Sequence, residues 1–422
     1  MDQRQTRRAY LAGFAAAALG GIAGCQSIEE IIPTPTPTPT ETPTPTDTPT
    51  ATPTETPTET ETPEETETPT ATEEPPEPAG WPMFRLDAAN TGFTTASGVP
   101  GSQVRARWTK RVGGSTESSP AVVDGTIYVG FDAGMAAFAT TDGSQRWSVP
   151  RPSPRRSSPA VIEGEIYAGA EGSNAGIWSI QADGGARRWT FQQSGSRSSP
   201  TPVGDTVYVG TNDAIVALNR ADGRERWSVG DGRTFLATPA VVDGTVYTAT
   251  QGGRVYALDA ADGSQEWYVD IRGGVQSSPA VVDGTIYLGC DDDHLYAIDA
   301  TDGSVLYRFE TLGDVVSAPA VADGTVYVGS NDGRLYAVDA DSGQRLWRFE
   351  TNGDVRSSPA VTADSVYFGS TDGRVYALDR TDGTQRWSYR ANDDVIASPT
   401  VVDGSVYAVD TLGWLHALES PG

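Results

Sequence analysis

Short apolar runs, each broken by a polar turn, recur along this chain with a period near forty residues. The copy from Ser357 to Tyr389 shows the unit. Ser358-Pro359-Ala360-Val361 is a short apolar run, and Ser365-Val366-Tyr367-Phe368-Gly369 is β-branched and aromatic. Thr371-Asp372-Gly373 is a turn, followed by Arg374-Val375-Tyr376-Ala377-Leu378. Thr381-Asp382-Gly383 is a second turn, before Gln385-Arg386-Trp387-Ser388-Tyr389. Asp-Gly between alternating apolar runs predicts hairpins, because Gly and Asp tolerate the left-handed turn positions. No segment of the unit has helical spacing. Four short antiparallel strands per forty residues predict one propeller blade.

The unit is written eight times, with its proline at Pro120, Pro159, Pro200, Pro239, Pro279, Pro319, Pro359 and Pro399. A constant period of this length means one supersecondary unit copied in series. The last copy, Ser398 to Ser420, stops after its third strand. Upstream of the first copy, Val104-Arg105-Ala106-Arg107-Trp108-Thr109-Lys110 has the fourth-strand pattern without a blade of its own. It is expected to complete the last blade and close the ring, leaving no open sheet edge. The fold class is therefore all-β, an eight-bladed propeller of four-stranded antiparallel blades. The fourth-strand aromatics Trp108, Trp147, Trp189, Trp227, Trp267, Tyr307, Trp347 and Trp387 are expected to fill the wedges between blades.

In a repeat array, function is expected where the copies differ. The residue three before each proline varies most: Glu117, Arg156, Arg197, Leu236, Gln276, Val316, Arg356 and Ile396. This position enters the first strand, which is innermost in a propeller, so the eight side chains should ring one mouth of the central channel. Arg156, Arg197 and Arg356, with Arg155 and Arg233 nearby, would make a cationic funnel suited to carboxylate or phosphate groups. The bland alternative is that they pair with Glu117 and neighbouring aspartates. Trp414 is a second outlier, standing where other third strands carry Arg, as an exposed contact or a lid on the closing blade.

The ends of the chain change the picture. Residues 1–25 hold Arg7-Arg8, an apolar stretch from Leu11 to Ala23, and Ile22-Ala23-Gly24-Cys25. This pattern resembles a twin-arginine export signal ending in a lipobox, which implies lipid attachment at Cys25 and a chain anchored to the outer face of the cell membrane. Residues 26–80 are dominated by Thr, Pro and Glu, which cannot bury a core and read as a disordered stalk. Its extended reach is on the order of 150 Å. Residues 81–422 form the propeller, with 81–103 expected to lie over it as a lead-in.

The formal net charge is −26, and residues 81–422 hold 42 acidic against 27 basic side chains. So acidic a body excludes nucleic acid as a partner. Lys110 is the single lysine, and this lysine-poor acidic surface resembles proteins of salt-accumulating halophiles, of the archaeal type. In molar salt such self-repulsion is mostly screened. With Cys25 lipidated, Cys290 is the lone thiol and is expected to be a small buried filler, with no internal disulfide.

Few residues point to catalysis. The two histidines, His294 and His416, occupy ordinary repeat positions filled elsewhere by Arg and Tyr. Asp291-Asp292-Asp293 offers hard-cation ligands or is simply an acidic hairpin turn. There is no phosphate-binding loop and no Gly-x-Ser-x-Gly nucleophile turn.

The units Leu258-Asp259-Ala260-Ala261-Asp262-Gly263-Ser264-Gln265-Glu266-Trp267 and Val338-Asp339-Ala340-Asp341-Ser342-Gly343-Gln344-Arg345-Leu346-Trp347 resemble the tryptophan-docking motif of pyrroloquinoline-quinone-type propellers. That resemblance implies one of two branches. Quinoprotein dehydrogenases bind the quinone and calcium, often beside two adjacent cysteines. Non-catalytic lipoproteins similar to BamB act as interaction scaffolds. The chain has no adjacent cysteines and no Cys-x-x-Cys-His haem segment. The lipid anchor and lean loops look like the BamB branch. The expectation is a cell-surface scaffold or ligand-binding module without cofactor, its partners other envelope proteins or a small anionic ligand at Arg156, Arg197, Arg356, Glu117 and Gln276. The alternative is a quinone-dependent dehydrogenase.

Overall fold

The computed structural model describes residues 80–421, apart from 97, 100, 173, 174, 193 and 231. The expected export signal, Cys25 and almost all of the expected stalk lie outside the described residues. The described chain forms eight antiparallel sheets, numbered as blades 1 to 8 in the order of their prolines. Blade 7 is typical, with strands Ala360–Val361, Ser365–Ser370, Arg374–Asp379 and Gln385–Arg390 ordered from the axis outward. The innermost strands of neighbouring blades touch one another around the ring.

Burial follows from that order. The second and third strands lie between two neighbouring blades, so both their faces are covered and they read as continuous apolar runs. Thr126–Phe131 and Gly134–Ala139 of blade 1 are buried at every position. The outermost strand has one face in solvent and alternates, as in Gln265–Asp270. The core is therefore a set of wedges between blades rather than one central mass. Cys290 sits in the wedge between blades 4 and 5 as an apolar filler, fully buried, and burial pushes its thiol up to about 12.

Each wedge is pinned by an outer-strand aromatic. The indole N–H of Trp108, Trp147, Trp189, Trp227, Trp267 and Trp347 donates to a carbonyl of the next blade at 2.8–3.1 Å. The ring lies on the glycine of that blade's Asp-Gly turn: a Cβ on Gly263 would stand 2.7 Å from the Trp227 ring. Tyr307 does the same work through its hydroxyl, 3.4 Å from the Asp339 carbonyl. Trp387 is buried, as Trp189 and Trp227 are, but its N–H has no acceptor among the described residues. A register slip beside the aromatic, between Ala257 and Leu258 in blade 4, frees the outer strand to turn the ring inward.

Ring closure is as expected. Arg105–Arg111 pairs with Trp414–Glu419 as the fourth strand of blade 8, and Trp108 docks onto blade 1. One further strand was not expected. Gly80–Trp81 pairs with Val122 and Val123 on the axial edge of blade 1, which thus has five strands, and Gly80 belongs to the propeller rather than the stalk.

Candidate functional site

The Ser-Ser-Pro signature builds the channel wall. The first serine ties the innermost strand to the second: Oγ of Ser157, Ser198, Ser277 and Ser317 accepts a glycine N–H at 2.8–3.2 Å. The second hydroxyl links blade to blade. The backbone N–H of Ser119 donates to Ser158 Oγ, that of Ser158 to Ser199, that of Ser199 to Thr238, and that of Thr238 to Ser278. Ala318 N–H donates to Ser358, Ser358 to Ser398, and Ser398 back to Ser119. The circle is broken once. Blade 6 carries Ala318 where a hydroxyl is needed, so the Ser278 N–H has no partner among the described residues. Each ring oxygen accepts from an amide and lines the channel cavity, which leaves its own O–H available there.

Three residues upstream of the prolines, Glu117, Arg156, Arg197, Leu236, Gln276, Val316, Arg356 and Ile396 line one cavity of about 280 Å³, together with the ring hydroxyls. The structure thus gathers all eight variable positions at one channel mouth. Their charges are partly spent. Glu117 accepts from Arg155 at 3.1 Å and lies 3.4 Å from Arg156, and Arg197 reaches Glu171 at 2.5 Å. Gln276 donates to Asp291 at 3.1 Å. Arg356 has no acidic partner among the described residues. The funnel of three free arginines is therefore narrower than the sequence suggests: Arg197 pairs with Glu171, Arg156 shares Glu117 with Arg155, and Arg356 has no acid contact among the described residues.

The other end of the channel corrects the lead-in expectation. Residues 80–94 do not lie over the propeller but wind around the inside of it. The innermost strands leave N–H groups facing the axis, and such an edge demands acceptors. Val161, Val241, Val281, Val321 and Val361 donate to the carbonyls of Pro82, Ala88, Ala89, Thr91 and Gly92 at 2.7–3.0 Å. Blade 3 is skipped because the matching residue is Pro202, which has no N–H. Arg85 is fully buried and donates to the carbonyls of Pro359 and Pro319; Asn90 donates to those of Thr238 and Pro279 at 3.2 and 3.0 Å. Burial pulls Arg85 down to about 9, which leaves it charged at neutral pH. Phe84 of this clasp lines the same cavity as the rim arginines. The channel is thus a cup, walled by hydroxyls and floored by an aromatic ring.

Sequence reasoning missed the clasp because it has no period and its partners lie up to 274 residues away. Its one local signal is Asn90-Thr91-Gly92, with Asn90 and Gly92 in left-handed backbone. The remaining candidates lie apart from the cup. His294 bonds the Asp292 carbonyl at 2.7 Å, and Asp292 takes the Tyr296 hydroxyl, so the acidic turn is internally engaged. Asp291 stays near the rim, its pKa raised by burial. His416 is buried beside Asp410 at 3.3 Å and Tyr389 at 3.2 Å, inside the closing blade. Trp414 is half-buried and carries the Arg111 guanidinium 5.4 Å above its ring. Among the described residues no three His, Cys, Asp or Glu side chains converge as a metal site would need.

A family model described as outer membrane protein assembly factor BamB matches residues 101–234, 212–339 and 276–413, together most of the propeller. The chain belongs to the BamB family. Among solved structures, BamB from Moraxella catarrhalis is 20% identical with a TM-score of 0.64, covering 75% of this chain and 98% of that one. A europium-containing methanol dehydrogenase is 14% identical with a TM-score of 0.72, covering 82% and 99%. A quinohaemoprotein alcohol dehydrogenase from Comamonas testosteroni is 14% identical with a TM-score of 0.68, covering 81% of each. At such identities these likenesses concern the fold alone. A search of curated proteins gave no match.

Proposed function

We propose that this BamB-family chain is a non-catalytic binding propeller of the cell envelope, exported and held outside the membrane by lipid on Cys25. Its cup receives an anionic group, carried by another envelope protein or by a small molecule. The supporting observation is the surplus of donors in the cup: Arg356 without an acid, and seven hydroxyls that accept amides and keep their protons. Preorganised donors facing one cavity favour an acceptor-rich, negatively charged occupant. The family's description as an assembly factor agrees with a binding role.

Pyrroloquinoline quinone with calcium does not suit this cup. Calcium takes six to eight oxygen ligands, several of them carboxylate. The one carboxylate in the cup wall, Glu117, already holds two guanidiniums.

The test is a titration of the full chain and of an Arg156→Ala, Arg197→Ala, Arg356→Ala triple variant with a panel of carboxylates and phosphates, followed by calorimetry. The reading expects saturable binding to the parent, an unchanged unfolding midpoint in the variant, and at least tenfold weaker binding. Equal binding by both proteins would sink it. Quinone and calcium belong in the same panel, since turnover of an alcohol with them would replace this reading with the dehydrogenase one.

A further inference from the structure

Resting on the cup as an anion site, we infer that its ligand is a compact amphipathic monocarboxylate: one carboxylate on an apolar body. The ring hydroxyls are spread over seven blades, but the other uncommitted donors are not. The two donors that break the ring's regularity gather on blades 5 to 7, the Ser278 N–H at the gap left by Ala318 and the Arg356 guanidinium, with the Ser358 hydroxyl beside them. A backbone N–H, a hydroxyl and a guanidinium converging on one arc are the donors one carboxylate needs for its two oxygens. The other cup arginines each contact an acid, Arg156 sharing Glu117 with Arg155 and Arg197 meeting Glu171, so Arg356 is the cup guanidinium without an acidic contact among the described residues. Two residues upstream of the rim in blades 6, 7 and 8 stand Asp314, Asp354 and Asp394, which disfavour any second negative charge.

Among the hydroxyls and charged groups of the lining there are also apolar side chains. Leu236, Val316 and Ile396 occupy the rim on blades 4, 6 and 8, Ala318 replaces a hydroxyl under Val316, and Phe84 lies in the same cavity. A hydrated polyanion such as phosphate or citrate would leave these surfaces unused and their water undisplaced. An apolar body buries them, at about 25 cal/mol per Å². The cavity of about 280 Å³ lies at the small end of the ~300–1,000 Å³ found for drug-sized ligands. At ~30 Å³ per water-sized group it holds on the order of ten non-hydrogen atoms. Two sources carry this chemistry: a free aryl or alkyl carboxylic acid, and the C-terminal residue of a polypeptide with an apolar side chain.

Calorimetric titration of the full chain with 3-phenylpropionate, its amide, acetate, phosphate, citrate, and a hexapeptide ending in Phe with a free or amidated C-terminus tests the assignment. Phenylpropionate should bind at least tenfold more tightly than its amide or acetate. Ala318→Ser should complete the hydroxyl circle, occupy the Ser278 N–H, and weaken phenylpropionate by about five- to tenfold, the loss of one buried hydrogen bond. Its unfolding midpoint should hold or rise, so a folding defect cannot mimic the result. Unchanged affinity in Ala318→Ser overturns the donor arc. Tighter binding of phosphate or citrate than of phenylpropionate overturns the amphipathic assignment while the anion cup survives. No binding by any anion removes both. Between the sources, tighter binding of the free-carboxylate peptide assigns a protein C-terminus, and tighter binding of the free acid assigns a small metabolite.

Discussion

The docking of each outer-strand tryptophan on the next blade's glycine can be weighed by comparing two glycines. Gly263 and Gly284 have nearly the same left-handed backbone, φ +75° and +72°. A Cβ at Gly284 meets nothing within 4 Å, whereas one at Gly263 stands 2.7 Å from the Trp227 ring. Gly284→Ala therefore measures the backbone cost alone, about 1–2 kcal/mol for a non-glycine residue in that region. Gly263→Ala adds the displacement of Trp227. The indole would lose its 3.0 Å bond to the Ala260 carbonyl, worth about 0.5–1.5 kcal/mol. It would also lose its packing on Tyr208, whose ring centroid is 5.8 Å away, worth a further 0.5–1.5 kcal/mol or so. The expected total is about 2–5 kcal/mol against about 1–2 for the control. Urea unfolding followed by tryptophan fluorescence reads both values, and near-ultraviolet circular dichroism reports the ring itself. Equal destabilisation within about 0.5 kcal/mol, the usual scatter of surface substitutions, would refute the docking argument.

Three further outcomes are expected. Arg85→Met leaves the Pro319 and Pro359 carbonyls without a donor, at about 1–3 kcal/mol each, so amide exchange at Val161, Val241 and Val281 should quicken; unchanged exchange would mean that the clasp is held without Arg85. Asp394 has its pKa raised by burial and by Asp393, Asp354 and Asp372, so ionising it disfavours the fold. Its penalty is absent below the ordinary carboxylate range and sets in as pH rises toward its raised folded value, so Asp394→Asn should raise the unfolding midpoint at pH 7 and not at pH 3; a gain at pH 3 as large as at pH 7 contradicts this. Arg105→Ala removes a 2.9 Å pair with Glu419 whose arginine is 59% exposed, and unfolding midpoints should move by the equivalent of less than about 0.5 kcal/mol.

The fold was legible because its determinants are local and repeated. The proline spacing counts the blades, the Asp-Gly pairs mark the hairpins, and the unpaired strand around Trp108 announces its own closure with blade 8. The rim was legible too, since Glu117, Arg156 and their six equivalents are the variable residues in an otherwise constant phrase. Their state was not. Whether Arg197 is free depends on Glu171, which lies in a loop of the blade before and has no fixed place in the repeat. The clasp was illegible for a related reason. Residues 80–94 satisfy main-chain groups of the innermost strands, and main-chain groups leave no mark on composition. Pro202, which lacks the N–H that its counterparts give to the clasp, becomes meaningful only once those bonds are seen.

The repeat also explains why the cup is where function collects. Along each innermost strand nearly every group is committed. The residue two before the proline ties strand to strand, the residue before it ties blade to blade, and the residue two after it feeds the clasp. Substituting any of these breaks a bond on which the ring depends. The residue three before the proline makes no such bond and faces the cavity, so it alone can change from Glu to Arg to Ile without cost to closure. Ala318 is the exception that supports the rule. It gives up one link of a closed circle, which leaves a buried N–H unpaired at a cost of about 1–3 kcal/mol unless something else accepts from it. That cost falls in the cavity wall, beneath Val316 and one blade from the uncommitted guanidinium of Arg356, where a bound carboxylate would remove it.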